Sequence, residues 1–111
     1  MTPAGLLIPT DDMEATLTLF CDVLGLKVKF RDGDRYCALD FAGQTLGLVS
    51  GEEKIVTSPA LVFRVDDLPI AVANLTLGGA ITLLPPHDGP HETRAVMRTV
   101  GGVDVVLSAR R

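Results

Sequence analysis

The chain repeats one short pattern, and this repeat constrains its fold more than any other feature. The sequence IPTDDM at residues 8 to 13 returns as FRVDDL at residues 63 to 68. Each copy follows an apolar run and opens a stretch with helical apolar spacing. An Asp at this point caps a helix, because its carboxylate accepts hydrogen bonds from the free N–H groups of the first turn. The repeat therefore predicts an internal duplication of a strand followed by a helix.

The residues after each copy continue in the same order. In the first half, a strand at 4–10 precedes a helix that is capped by Asp11 or Asp12 and ended by Gly25, and strands at 26–31, 36–41 and 45–50 follow. The predicted apolar face of this helix consists of Met13, Leu17, Phe20 and Leu24. In the second half, a strand at 60–65 precedes a helix that is capped by Asp66 or Asp67 and stopped by Gly78, and strands at 81–84, 93–99 and 103–108 follow. The segment PPHDGPHE, residues 85 to 92, is predicted to be a loop because it is rich in Pro and Gly.

This order predicts an α+β fold of two tandem βαβββ modules. One helix covers one face of a four-stranded sheet, so we expect two modules to form a curved eight-stranded sheet around a cleft, with the helices outside. The chain of 111 residues is predicted to be a single domain. Module one spans about residues 1–50, a linker about 51–58, and module two about 59–111.

The motifs resemble those of the vicinal oxygen chelate superfamily. The pattern P-x-D-D-M/L comes after the first predicted strand and F-R-V-D-D-L after the fifth. The stretch LFCDVLGLKVKF is similar to the first module of that group. The superfamily includes glyoxalase I, bleomycin-resistance proteins, extradiol dioxygenases and methylmalonyl-CoA epimerase. The resemblance covers nearly the whole chain, but it is specific for fold rather than for activity.

The resemblance also implies where a metal would bind. Enzymes of the superfamily typically hold one divalent metal with two His and two Glu, one from each of four strands. In this sequence the four matching positions are Gly5, Gly47, Ala60 and Val106, none of which has a ligating side chain. We therefore expect no metal, no cofactor and no catalytic residue at the usual site. The small replacements predict a roomier, apolar cleft.

Side chains alternate between the two faces of a strand, so residues two positions from these four are also expected to line the cleft. The expected ligand-binding residues are Leu7, Tyr36, Ala38, Gly47, Ala60, Val62, Arg64, His91, Arg94 and Val106. On the third strand, Cys37, Leu39 and Phe41 are expected to meet the helix instead. Arg64 and Asp104 have two equally supported interpretations. They contact a ligand, or they merely pair with each other or lie at the rim.

The two histidines, His87 and His91, lie in the sequence HDGPH. One hypothesis is a rearranged metal site formed with Asp88 or Glu92. The other is a polar loop that contacts a ligand, which we favour because Zn sites usually need three or four convergent ligands.

Composition excludes some partners. The net charge of −4 argues against a nucleic-acid-binding surface, which would be basic. No apolar stretch approaches the roughly 20 residues of a membrane span, and no signal peptide is predicted. Cys21 and Cys37 are expected to be small buried residues of a cytoplasmic protein, while Arg98, Arg110 and Arg111 are interpreted as surface charge.

The leading functional hypothesis is a metal-free protein that sequesters a small hydrophobic or cationic molecule, as bleomycin-resistance proteins do. The alternative is a metal-dependent lyase, isomerase or dioxygenase with a rearranged site that uses His87, His91, Glu92 or Asp104. A third is an interaction subunit whose cleft a partner fills. A homodimer is expected, because the exposed edges of an open sheet favour pairing.

Overall fold

The computed structural model describes all of residues 1–111 and has the α+β fold class that the sequence predicts. Strand, helix and three strands follow one another twice, as expected from the repeat. The chain divides into two compact units. Residues 5–59 form one unit, called module one below, and residues 60–111 together with residues 1–4 form the other, module two.

Module one has the strand order β2-β3-β4-β1, with β1 parallel to β4 and the other neighbours antiparallel. Its elements are residues 5–9 of β1 (Thr2–Pro9), α1 (Met13–Leu17), a π-helical segment (Thr18–Val23), β2 (Lys27–Asp32), β3 (Tyr36–Phe41), β4 (Gln44–Val49) and a 3₁₀ turn (Gly51–Glu53). The strand bounds lie within two residues of the predicted ones. The 3₁₀ turn falls within the predicted linker.

The first helix changes its winding midway, which the apolar spacing does not predict. The backbone N–H of Leu24 donates to the carbonyl of Leu19, five residues earlier, at 2.9 Å. This wider turn rotates the residues that follow it, so Leu24 is 62% exposed and its predicted place on the apolar face is wrong. Cys21 and Leu26 pack against the core instead. Gly25 does end the helix, with a φ of +82°.

The core of module one lies between α1 and one face of the strands. Met13 and Leu17 pack with the buried strand residues Cys37, Leu39, Leu46 and Leu48. Cys37 and Leu39 therefore meet the helix as predicted. Phe41 does not, because it is the last residue of β3, next to the turn, and it is 46% exposed.

Both cysteines are free thiols, with Cys37 buried and Cys21 partly buried. Burial raises the pKa of the Cys37 thiol, because an apolar surrounding disfavours the thiolate. Cys37 therefore acts as a small apolar residue of the core.

Module two has the strand order β5-β8-β7-β6, with β5 parallel to β8 and the other neighbours antiparallel. Its elements are β5 (Ala60–Arg64), α2 (Leu68–Leu77), β6 (Ile81–Asp88), β7 (Glu92–Arg98) and β8 (Asp104–Arg110). Leu68 and Ala71 of α2 pack against Ala95, Met97 and Leu107, with Val72 and Leu75 at the margin. The helical spacing of Leu68, Val72 and Leu75 predicts an apolar face for this helix, and their packing confirms it. No helix of the chain is both long and apolar enough to cross a membrane.

Strand β6 continues through half of the segment that was predicted to be a loop. It extends to Asp88, and the register with β7 shifts between Leu84 and His87. Proline lacks a backbone donor, but β6 pairs only with β7, and the two prolines, Pro85 and Pro86, lie in the irregular part of that pairing. The loop prediction is therefore wrong for residues 85–88.

The two aspartate motifs cap their helices in the same way. The Asp12 carboxylate accepts a hydrogen bond from the N–H of Ala15 at 3.0 Å, and the Asp67 carboxylate accepts one from the N–H of Ile70 at 3.0 Å. Of the two candidates in each motif, the second Asp is thus the cap, since its backbone is extended and its carboxylate accepts a hydrogen bond from the first turn.

Replacing the cap of the longer helix should destabilise the protein. We expect Asp67→Ala to lower the free energy of unfolding by about 1 kcal/mol, because the N–H of Ile70 loses its partner. Urea unfolding followed by circular dichroism measures the loss. Asp66→Ala is the matched control, since it changes the neighbouring exposed carboxylate and leaves the cap. Equal losses for the two variants would contradict the assignment of the cap.

Candidate functional site

In each module, the strand residues that do not meet the helix form a second surface, called the opposite face below. In module one, every second residue along a strand, such as Cys37 and Leu39 on β3, packs in the core beneath the helix. Alternation therefore places the intervening residues on the opposite face. They are Gly5, Leu7, Pro9, Tyr36, Ala38, Asp40, Thr45, Gly47 and Val49, and the register aligns them in cross-strand rows. Leu7, Tyr36, Ala38 and Gly47 are thus brought together as predicted from the sequence.

Two glycines of this face have close neighbours where a side chain would begin. Gly5 has a φ of +123°, and a Cβ added to it would overlap the carbonyl oxygen of Thr45 on the neighbouring strand. A Cβ on Gly47 would lie 3.1 Å from Leu7 Cδ1 and 3.2 Å from Tyr36 Cε1. Neighbouring atoms therefore occupy the space beside both glycines, and the expectation that small residues empty the site is wrong at these positions.

The face also carries an aromatic side chain that sequence reasoning missed. Phe30 pairs with Ala38, and its ring centroid lies 6.3 Å from that of Tyr36 at an interplanar angle of 45°. Val28 pairs with Leu39, so the register shifts by one residue between Val28 and Phe30. A one-residue shift moves a side chain to the other face of a sheet. No signal in the sequence marks this bulge.

The opposite face of module two is defined in the same way. Every second residue along its strands packs with α2, as Phe63, Ala95 and Leu107 do. The residues that face the other way form three cross-strand rows. One is Arg64, Ser108, Arg94 and His87, the next is Val62, Val106, Val96 and Leu84, and the third contains Asp104, Arg98 and Ile81. Of the predicted ligand-binding residues, Val62, Arg64, Arg94 and Val106 share this face.

The buried acid of this face, Asp104, pairs with a residue other than the one considered from the sequence. Its side chain is 2% exposed, and Arg98 donates to it from Nε at 2.7 Å and from Nη2 at 3.2 Å. The carboxylate of Asp104 raises the pKa of Arg98 above its ordinary value. Arg98 is therefore more than surface charge, and the pairing of Asp104 with Arg64 is not formed. The register of β7 with β8, which places Arg98 opposite Asp104, could not be read from the sequence.

Comparison with known proteins identifies the fold. No protein-family model matches the sequence. A superfamily member of the glyoxalase, bleomycin-resistance and dioxygenase proteins from Vibrio splendidus 12B01 superposes with a TM-score of 0.70 at 16% identity. The superposition covers 95% of this chain and 96% of that one. This chain has the vicinal oxygen chelate fold.

Two further relatives extend the comparison. Methylmalonyl-CoA epimerase from Mycobacterium tuberculosis superposes on the vicinal oxygen chelate fold of this chain with a TM-score of 0.68 at 16% identity, over 99% of this chain and 88% of that one. An uncharacterised protein of Mycolicibacterium smegmatis is 29% identical over 91 residues, which are 81% of this chain and 78% of that protein. Identities this low support the fold and leave the activity open.

The metal of vicinal oxygen chelate enzymes does not fit the residues present. The four positions that the resemblance assigns to its ligands are Gly5, Gly47, Ala60 and Val106. The backbone of Thr45 closes Gly5 to any side chain, and a side chain at Gly47 would have to displace Leu7 and Tyr36 slightly. Elsewhere in residues 1–111, no three His, Cys, Asp or Glu side chains lie together in a way that could hold a metal ion. No donor set is therefore assembled at the usual positions or at a new one.

The histidines illustrate this point. His87 lies half-buried on β6, with its Nδ1 3.2 Å from the carbonyl oxygen of Pro85. His91 lies exposed in the turn between β6 and β7 and belongs to none of the cross-strand rows. The strand extension thus places His87 opposite Arg94, and His91 stands apart from the predicted ligand-binding residues. Ala60, another of the four positions assigned to metal ligands, is buried at the start of β5 and only 2% exposed.

The close approach at Gly5 predicts a strong dependence on glycine. We expect Gly5→Ala to lower the free energy of unfolding by more than about 2 kcal/mol, because the methyl group meets the backbone of Thr45 at an unfavourable φ. Gly101→Ala is the control, since a Cβ there meets nothing within 4 Å and should change stability by less than about 0.5 kcal/mol. Chemical denaturation of both variants checks this. A Gly5→Ala protein as stable as the control would refute the steric argument.

Proposed function

We propose that this chain binds a small, largely apolar organic molecule without a metal ion and without turning it over. The observation that carries the proposal is the packing at Gly5, where the backbone of Thr45 leaves no room for a ligating side chain. The known enzymes of the superfamily use a metal as Lewis acid, which needs donor side chains with open coordination positions. A chain that does not bring such donors together has the fold of these enzymes but lacks the side chains that would hold the Lewis-acid metal.

The character of the opposite face in module one supports an apolar ligand. Tyr36 pairs with Val49, Leu7 pairs with Gly47 in the next row of the same face, and Phe30 adds a second ring next to Tyr36. An apolar site with few polar groups is typical of small-molecule binding. The polar groups here are the Tyr36 hydroxyl, the Asp40 carboxylate, which accepts a hydrogen bond from Gly43 N–H, and the pair formed by Lys29 Nζ and Thr45 Oγ1 at 2.8 Å. An exposed aromatic side chain such as Phe30, 59% exposed, gains contact area when a flat ligand covers it.

Metal content is the first test. Untagged protein would be dialysed, exposed to Zn, Ni, Mn and Fe(II), dialysed again and measured by elemental mass spectrometry. We expect far less than one ion per chain, because no three donor side chains converge. A near-stoichiometric metal that survives dialysis would overturn the proposal and favour the metal-dependent enzyme.

Binding of a neutral aromatic probe is the second test. N-phenyl-1-naphthylamine should bind, and its binding should change the emission of Tyr36, the only tyrosine of a chain without tryptophan. We expect Phe30→Ala to weaken the affinity about three- to tenfold through loss of an aromatic contact. Phe41→Ala is the matched control, because Phe41 is 46% exposed but lies outside the opposite face. Absence of binding, or equal weakening by both variants, would contradict the proposed site.

We further propose that the chain acts as one cytoplasmic domain and forms a homodimer. Strands β2 and β6 each pair with one neighbour only and carry exposed apolar residues, among them Val28 at 50% and Ile81 at 59% exposure. Unpaired apolar edges favour association with a second chain. Light scattering on the purified protein should give twice the chain mass of 11.8 kDa. A monomer mass at every concentration would rule out the dimer.

A further inference from the structure

Strand β6 is an end strand of the sheet in module two, and its outer edge carries no charge. It pairs with β7 and with no other strand. From Ile81 to Pro86 its sequence is ITLLPP, without a charged residue. Ile81 is 59% exposed and Leu83 is 41% exposed, so the rest of the chain does not cover this edge. An unpaired apolar edge is a template for a further strand, because its outward N–H and C=O groups are free to form a ladder.

Two prolines limit the length of β6 that a further strand can pair with. Pro85 and Pro86 have no backbone N–H, so a ladder on this edge ends at Leu84, the fourth residue of the strand. A ladder this short buries little surface, whereas a stable interface buries about 1,200 Å² or more in total. Neighbouring apolar surface therefore has to contribute to any stable contact at this edge.

The helix of module two supplies such a surface. Helix α2 packs over β6, β7 and β8, and its ten residues, LPIAVANLTL, include no charged side chain. Leu68 and Ala71 are buried in the core, while Ile70 is 59% exposed and Leu77 is 88% exposed. The outer side of a surface helix usually carries charged and polar residues. The outer side of α2 and the edge of β6 are thus both uncharged, and together they are called the neutral edge below.

The end strand of module one, β2, has a different charge. Its sequence KVKFRD exposes Lys27 and Lys29. Lys29 Nζ donates to the hydroxyl of Thr45 instead of a carboxylate, whereas Arg31 is paired with Glu14. Two β2 strands side by side would bring the lysines of one copy against those of the other, which destabilises a strand pair. Lysine on an end strand is a common protection against such pairing.

From this difference we infer that the neutral edge binds a second copy of this chain, with the two β6 strands antiparallel about a two-fold axis. Self-pairing at this edge brings no like charges together, although each copy has a net charge of −4. Because both copies use the same edge, the pairing is closed at two chains. Pairing of β2 with β6 of the next copy would instead leave free edges and build an open chain. The inference rests on the proposed homodimer and names its interface.

The test places a lysine on each end strand in turn. Leu83→Lys puts a charge on the edge of β6, and Val28→Lys puts one on β2, where the side chain is 50% exposed. Sedimentation equilibrium measures the dissociation constant of the dimer for each variant. We expect Leu83→Lys to weaken the dimer about tenfold or more, because the lysines of the two copies then meet at the axis. Val28→Lys is the matched control and should leave the dissociation constant unchanged.

Amide hydrogen exchange gives a second readout that uses the unaltered chain. Above the dissociation constant, the amides of residues 81–84 should exchange more slowly than in diluted protein, because the second strand covers this edge. The amides of residues 27–31 on β2 should exchange at the same rate at both concentrations. Rates for residues 81–84 that do not depend on concentration in a dimeric protein would refute the interface.

The outcomes separate this interface from the proposed homodimer. A wild type that is monomeric at every concentration would overturn both. A wild-type dimer that Leu83→Lys leaves intact, or that both lysines weaken equally, would overturn the neutral edge and leave the homodimer standing. A mass that grows beyond two chains would contradict the closed pairing. If circular dichroism shows that Leu83→Lys is unfolded, Ile81→Lys decides, and an unchanged dissociation constant there refutes the inference.

Discussion

The packing of one helix against one face of four strands is the contact on which each module depends. In module one, Met13 and Leu17 bury themselves on the β3 and β4 residues of the core. In module two, Leu68 and Ala71 do the same. Side chains alternate along a strand, so the choice of residues that meet the helix also fixes those that face away. Substitutions on the opposite face therefore leave the helix contacts unchanged, which lets one scaffold carry many sites.

In module one, the backbone limits which side chains the opposite face can carry. At Gly5 the strands β1 and β4 approach so closely that no side chain fits, and at Gly47 the neighbours Leu7 and Tyr36 fill the space. A change of Gly47 to a ligating residue would have to move both neighbours. A change at Gly5 would have to separate two paired strands. Regaining the metal donors of the superfamily would thus require backbone movement in addition to new side chains.

Much of the fold could be predicted because local signals agree with one another. Aspartate caps, helix-ending glycines and apolar spacing all indicate the same order of strands and helices, and the second Asp of each motif caps its helix. The failures share a different cause. The π-helical winding that exposes Leu24 and the bulge that turns Phe30 toward Ala38 each depend on tertiary packing. A bulge also carries β6 past Pro85, where the sequence indicates a loop.

The candidate site was less predictable than the fold for a related reason. Alternation placed Leu7, Tyr36, Arg64 and Val106 on the correct faces, since it depends only on the strand assignment. The pairing of Asp104 with Arg98 depends on register across two strands, which the sequence does not encode locally. The placement of His87 opposite Arg94 depends on a bulge as well as on register.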